Sequence, residues 1–257
     1  MKVSLIIPSF KRATLLDLGL HSITKQPCVY PLEIIVVNDG IEDETESVCK
    51  KYRDTLNIQY YFSGQRNKEG IKSRVPAWAI NIGVRKCTGD IIVLSSPEIF
   101  HLNAALNYVI SPLLNDKSIV TSIKHLYFDK VDTLLPVFQA NRDVVVTQTM
   151  LNSVIKGMAA RRMPFLMGMY KSAFMGVGGY DEDFTGYAGD DNDFVDRIMG
   201  TGHFILYTDA SILHLYHGGT NDGEPHYDNP AWVHNFNLWQ GRKGVMKRNE
   251  GREWGVL

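Results

Sequence analysis

Residues 178–197, GGYDEDFTGYAGDDNDFVDR, crowd acids and glycines together where a loop passes into a helix, a combination suited to proton transfer. Gly178, Gly179, Gly186 and Gly189 admit backbone conformations closed to other residues. Asp190, Asp191 and Asp193 then stand at the start of the apolar-periodic run Phe194, Val195, Ile198. Part of this acidity has a local use: Asp190 or Asp191 can cap the helix, and Asp193 pairs with Arg197 at i,i+4, each contributing a few tenths to about 1 kcal/mol. A cap needs only one side chain. Two adjacent carboxylates behind a glycine-rich loop therefore leave one free as a candidate general base.

A base of this kind needs a rigid frame, and the first part of the chain supplies its pattern. Val3 to Ile7, Glu33 to Asn38, Ile58 to Phe62 and Asp90 to Leu94 are short apolar runs that read as strands. Between them, Ala13 to Thr24, Glu42 to Tyr52 and Ile71 to Lys86, the last opened near Pro76, read as helices. This alternation predicts an α/β fold, a Rossmann-like, mainly parallel (mixed) central sheet flanked by helices. Ligands of such sheets bind beyond the carboxyl ends of the strands. Pro8-Ser9-Phe10-Lys11-Arg12, Asp39 and Ser95-Ser96-Pro97-Glu98 occupy those places. No G-x-G-x-x-G follows the first strand, so a nucleotide must be held otherwise: an acid can accept hydrogen bonds from a base or ribose, and Arg12 can clamp phosphate oxygens. Each has a plainer use too, Asp39-Gly40 as a turn pair and Arg12 as a solvated helix start.

Composition narrows the partners. The 257 residues, 44% hydrophobic, suffice for one large α/β domain, and a net charge of −1 offers no general attraction to nucleic acid or anionic membrane. Three cysteines, Cys28, Cys49 and Cys87, without metal-ligand spacing fit reduced thiols in a cytoplasmic protein. No apolar run approaches the ~18 residues of a membrane span, and none resembles a signal-peptide core.

The acidic stretch resembles the motif of inverting family 2 glycosyltransferases and related galactosyltransferases, in which Gly-Gly-(Phe/Tyr)-Asp-Glu precedes Gly-(Glu/Asp)-Asp-x-Asp and a helix with an Arg. By that resemblance Asp191 falls on the catalytic base and Asp190 on the acid before it, which faces the acceptor sugar. IIPSFKR is similar to the opening of these enzymes, which places Pro8, Ser9, Phe10 and Arg12 at the nucleotide sugar, and VVNDG puts Asp39 on the uracil-binding aspartate. RVPAWAINIG followed by SSPEIFH resembles a galactosyltransferase-like branch, with Arg74, Asn81 and Ser96 near the nucleotide diphosphate and Trp78 in core packing. Where most members carry Asp-x-Asp to hold a divalent ion, this chain has Ser96-Pro97-Glu98. Glu98 matches the acid that touches the metal, His217 the late metal-binding histidine, and His214 a second ligand in some galactosyltransferases. An oxygen ligand suits Mn²⁺ or Mg²⁺. Two histidines at i,i+3 of a strand point to opposite faces unless a turn lies between them.

Ala104 to Leu114 reads as a helix, Ile119 to Ile123 and Phe165 to Tyr170 as strands, and His203 to Tyr207 and Ala210 to His217 as two more. Pro136 to Met163 matches no pattern and is expected to be an acceptor-side insertion or an oligomer contact. Asp228 to Gln240, with Trp232, Phe236 and Trp239 at helical spacing, reads as a packed helix rather than a sugar-stacking platform.

The resemblance, over about residues 1–124 and 164–220, implies a GT-A fold in residues 1–220. About 1–100 form the nucleotide-sugar half, about 164–220 the acceptor and catalytic half, and 221–257 an appended C-terminal helical segment. The implied activity is metal-dependent, inverting transfer of a hexose from a nucleotide sugar, UDP-galactose or UDP-N-acetylgalactosamine for example, to a glycan or other hydroxyl acceptor. Two rivals are a sugar nucleotidyltransferase, which would need a glycine-rich basic loop where PSFKR stands, and a non-catalytic nucleotide-sugar-binding or assembly subunit.

Overall fold

Val3–Ser9 (β1) is buried at every position, as a continuous apolar run at the centre of a sheet must be. Its side chains alternate: Val3, Leu5 and Ile7 pack with Leu16, Leu20 and Ile23 of the helix Ala13–Thr24 (α1), while Ile6 packs on the opposite face. The structure, a computed structural model, describes residues 1–26, 28–65, 75–129, 133–154, 164–186, 188–217 and 230–257. Leu32–Asn38 (β2) pairs in parallel with β1, followed outward, across Thr45–Lys51 (α2), by Ile58–Phe62 (β3). Ala77–Lys86 (α3) lies on the Ile6 face and leads to Ile91–Ser95 (β4), parallel to β1 on its other side. The expected mainly parallel half-sheet is therefore present, with helices on both faces.

The second half adds antiparallel strands. Ile99–His101 (β5), Ala105–Ile110 (α4) and Ile119–Phe128 (β6) are followed by the helices Leu135–Ala140 (α5) and Gln148–Val154 (α6). Then come Leu166–Tyr170 (β7), Lys171–Gly176 (α7), Asp190–Gly200 (α8), Phe204–His214 (β8) and Pro230–Gly241 (α9). The eight strands run β3-β2-β1-β4-β7-β6-β8-β5, with β7 antiparallel to β4 and β6, β6 parallel to β8, and β5 antiparallel to β8.

Three expectations change. The two late strands are one, β8, because β6 continues to Phe128 and gives it a partner across a register shift between Ile123 and His125. β8 also stops at His214, so His217 stands beyond the strand. The unreadable stretch contains α5 and α6, whose Phe138 and Leu151 pack with Leu15, Leu18 and Leu213 in a small third core; residues 155–163 lie outside the described residues. These helices are too short for a helical period to declare itself. Among the described residues no helix is long and apolar enough to cross a membrane.

Candidate active site

A cavity opens beyond the carboxyl ends of β1, β2 and β4. Pro8, Ser9, Phe10 and Arg12 wall it from the first strand, Asp39 from the second and Ser95 to Glu98 from the fourth; Phe165, Asp191, His214 and His217 close the far side. The crossovers of a parallel sheet put these loops at one edge, which is why residues 8, 39 and 98 share a wall. Asp39, 1% exposed, accepts a hydrogen bond from Ser63 Oγ at 2.6 Å. The following Gly40 is required by packing: a Cβ there would stand 2.1 Å from the Phe10 ring, so glycine lets that ring lie against the turn. Ser96 Oγ is buried and meets no hydrogen-bond partner among the described residues, an acceptor and donor left for a ligand.

On the far wall the two candidate acids separate. Asp190 is 5% exposed and does not line the cavity, whereas Asp191 does. Neither caps α8: Gly189 takes the N-cap with φ +92°, and the acids are the first two helical residues. This corrects the expected cap. Tyr180, fully buried and stacked on Phe194 at 4.3 Å, donates its hydroxyl to Asp191 Oδ1 at 2.9 Å. Burial raises the Asp191 carboxyl to about 6 while the Tyr180 hydroxyl pulls it back. Asp190 is pushed well above the ordinary carboxylate range, first by burial and then by the charge of Asp191. Two carboxyls with protonation pushed apart leave Asp191 as the one ionised near neutral pH.

The model of glycosyl transferase family 2 matches residues 4–178, about two thirds of the chain. The chain belongs to glycosyl transferase family 2. Residues 163–218, which carry the acidic motif and both late histidines, match the model described as the N-terminal domain of galactosyltransferase. Chondroitin synthase of Pasteurella multocida is 26% identical over 127 residues, 49% of this chain and 12% of that one. GalNAc-T7, solved with UDP, GalNAc and Mn²⁺, superposes with a TM-score of 0.65 at 14% identity, over 93% of this chain and 48% of that one. TarS 1–349 of S. aureus, solved with UDP-GlcNAc, gives 0.60 at 16% identity over 93% and 65%. At these identities the likeness establishes the GT-A fold. The chain spans less than two thirds of the length of each of these three relatives.

In this family 2 chain the expected metal residues are engaged otherwise. Arg12 donates from Nε to Glu98 Oε1 at 3.1 Å and from Nη2 to His217 Nδ1 at 3.2 Å, so its guanidinium bridges the two. His214, the last residue of β8, brings its ring within 5.1 Å of His217, and both line the cavity. Packing against Phe128 and Phe165 buries His214 and lowers its imidazole to about 4, against the opposing pull of Glu98. Among the described residues no three His, Cys, Asp or Glu side chains gather to hold a metal ion. A cation already shared by the two donors, and a serine in place of the first acid, do not fit a preformed site for Mn²⁺ or Mg²⁺.

The loop before Asp191 is held by residues for which the sequence suggested other places or none. Asn81, expected near the diphosphate, is fully buried away from the cavity; it donates to Tyr180 O and Glu182 Oε1 and accepts from Tyr180 N, each at 2.9 Å. Trp78, expected as packing alone, also donates to Glu182 O at 3.0 Å. Asn249 donates to Gly178 O and Tyr180 O, and Gly255 N donates to Glu182 Oε1. Gly178 and Gly179, at φ +72° and +67°, leave room for Arg248 O and Trp254 that a Cβ would fill. The tail thus braces the acidic loop. Arg74 lies outside the described residues.

Tyr180→Phe tests the hydroxyl's hold on Asp191. Removing a hydrogen bond to the charged carboxylate should raise the Asp191 pKa and move the acidic limb of the kcat–pH profile upward by about one unit. Donor KM should stay put. An unmoved limb would show that the hydroxyl does not tune the acid.

Proposed function

We propose that this chain transfers a hexose from a nucleotide sugar, UDP-linked, to an acceptor hydroxyl with inversion of configuration. One observation carries the reading: the Asp191 carboxylate, raised toward neutrality, faces the same cavity as Asp39, Arg12 and Ser96. Asp39 would accept from the uracil, Arg12 would meet the diphosphate, and Pro8, Ser9 and Phe10 would line the nucleoside. The acceptor oxygen attacks the anomeric carbon opposite the leaving group, its proton passes to Asp191, and the bond from that carbon to the diphosphate breaks. The nucleoside diphosphate leaves with the electron pair. Galactose or N-acetylgalactosamine as the transferred sugar is supported by the match of residues 163–218 to the galactosyltransferase model. UDP is supported by the solved relatives that hold it.

A divalent ion belongs to the family pattern, and one of those relatives holds Mn²⁺. Here Glu98 and His217 are shared by Arg12 instead. A non-catalytic binding subunit would retain nucleotide and turn over nothing, so transfer and hydrolysis assays over a panel of nucleotide sugars and acceptors decide between the two. Turnover of none would reject the enzyme reading.

The uracil contact has its own test. Asp39→Ala should weaken UDP by about 10- to 100-fold, the scale of one lost charged hydrogen bond, whether or not sugar is attached. Calorimetry with UDP and UDP-sugar measures this, and unchanged affinity would place the nucleoside elsewhere.

A further inference from the structure

Arg12 is set with unusual care for a surface helix start. It precedes α1, and Lys11 before it holds φ +53°, a left-handed conformation uncommon outside glycine and seen where a neighbour must be aimed. Its guanidinium takes Glu98 Oε1 on Nε, His217 Nδ1 on Nη2 and the Lys11 carbonyl on Nη1 at 3.2 Å. An arginine only donates, so His217 Nδ1 carries no proton and offers its lone pair to Arg12. Of the five N–H groups, three are used in these contacts, and Arg12 lines the cavity.

A metal ion held by the same Glu98 oxygen and His217 nitrogen would meet the guanidinium that already bonds both. At those two atoms ion and guanidinium would compete. The second acid that would help the ion win is Ser96, which brings no charge. A planar guanidinium, by contrast, matches phosphate oxygens with paired N–H donors and keeps its charge at every working pH.

We propose that Arg12, oriented by Glu98 and His217, is the diphosphate-binding cation of this chain and takes the place of a divalent metal. Glu98 and His217 are then positioning residues for Arg12. The inference rests on the reading that the donor is a nucleoside diphosphate sugar.

Calorimetric titration of UDP, with GDP alongside, into the whole chain in EDTA and in saturating Mn²⁺ tests it, with Mn²⁺ binding followed separately by electron paramagnetic resonance. Wild type should bind the nucleotide in EDTA with an affinity that Mn²⁺ changes by no more than about threefold. Arg12→Ala should lose about 10- to 100-fold in EDTA, and, with its donors released, should gain affinity when Mn²⁺ is added. Glu98→Gln, which loosens the guanidinium without removing it, should weaken UDP less than Arg12→Ala does. Wild-type UDP binding that Mn²⁺ tightens more than tenfold, with the resonance reporting bound ion, overturns the proposal and leaves the donor reading intact. Binding of neither nucleotide in either buffer overturns both.

Discussion

Asp191→Asn is expected to lower kcat by about 10²- to 10⁴-fold, the usual contribution of a positioned general base, while UDP affinity changes by less than about threefold. The amide keeps the shape of the carboxylate and can still accept from the Tyr180 hydroxyl, but it cannot take the acceptor's proton. Wild-type activity should accordingly fall as pH drops through about 6, where Asp191 becomes protonated. The sign for stability is opposite. An acid whose folded pKa lies above its unfolded value costs stability while ionised, so protonation between about 6 and 4 removes a cost. Activity should thus be lost over that range while circular dichroism is unchanged. A mutant with wild-type kcat would remove Asp191 from the chemistry. A larger loss in Asp190→Asn would exchange the two acids' roles.

Asp193→Ala should give the largest loss of stability. Asp193 is 2% exposed and pairs with Arg197 Nε and Arg248 Nη2, both at 2.7 Å; Arg248 in turn lies 3.0 Å from the buried Asp181. Removing one acid from this cluster leaves buried guanidinium charge uncompensated, which costs about 3–5 kcal/mol out of a typical ~5–15 kcal/mol. For a chain of this size the melting temperature should drop by roughly 6–20 °C. Asp183→Ala removes pairs with Arg242 at 2.7 Å and Arg252 at 2.5 Å, on an acid 38% exposed, and should cost about 1 kcal/mol or less. Differential scanning calorimetry of both mutants measures the contrast, and equal small shifts would mean the buried cluster carries no special weight.

The sequence by itself determined the frame and much of the wall of the site. The apolar runs became β1, β2 and β4 because a strand buried on both faces has no polar side to show, while the edge strand β3 stays half-buried. The loop positions after those strands converge on one cavity because parallel crossovers return every strand in the same direction. The i,i+4 pairing of Asp193 with Arg197 was likewise present in local spacing, but not its depth. Tertiary structure alone decided the rest. Which of two adjacent acids faces the cavity depends on the phase of α8 against the sheet, and Gly189 at φ +92° sets that phase. Asn81 became a clamp on the acidic loop, and Asn249 reached Gly178 across 71 residues. Arg12 joined Glu98 and His217 over separations of 86 and 205. Periodicity records which face of an element is buried, since each residue's neighbours along the chain carry that information. Which distant side chain meets it does not repeat at any period, and only the packed sheet brings such partners within 3 Å or so of each other.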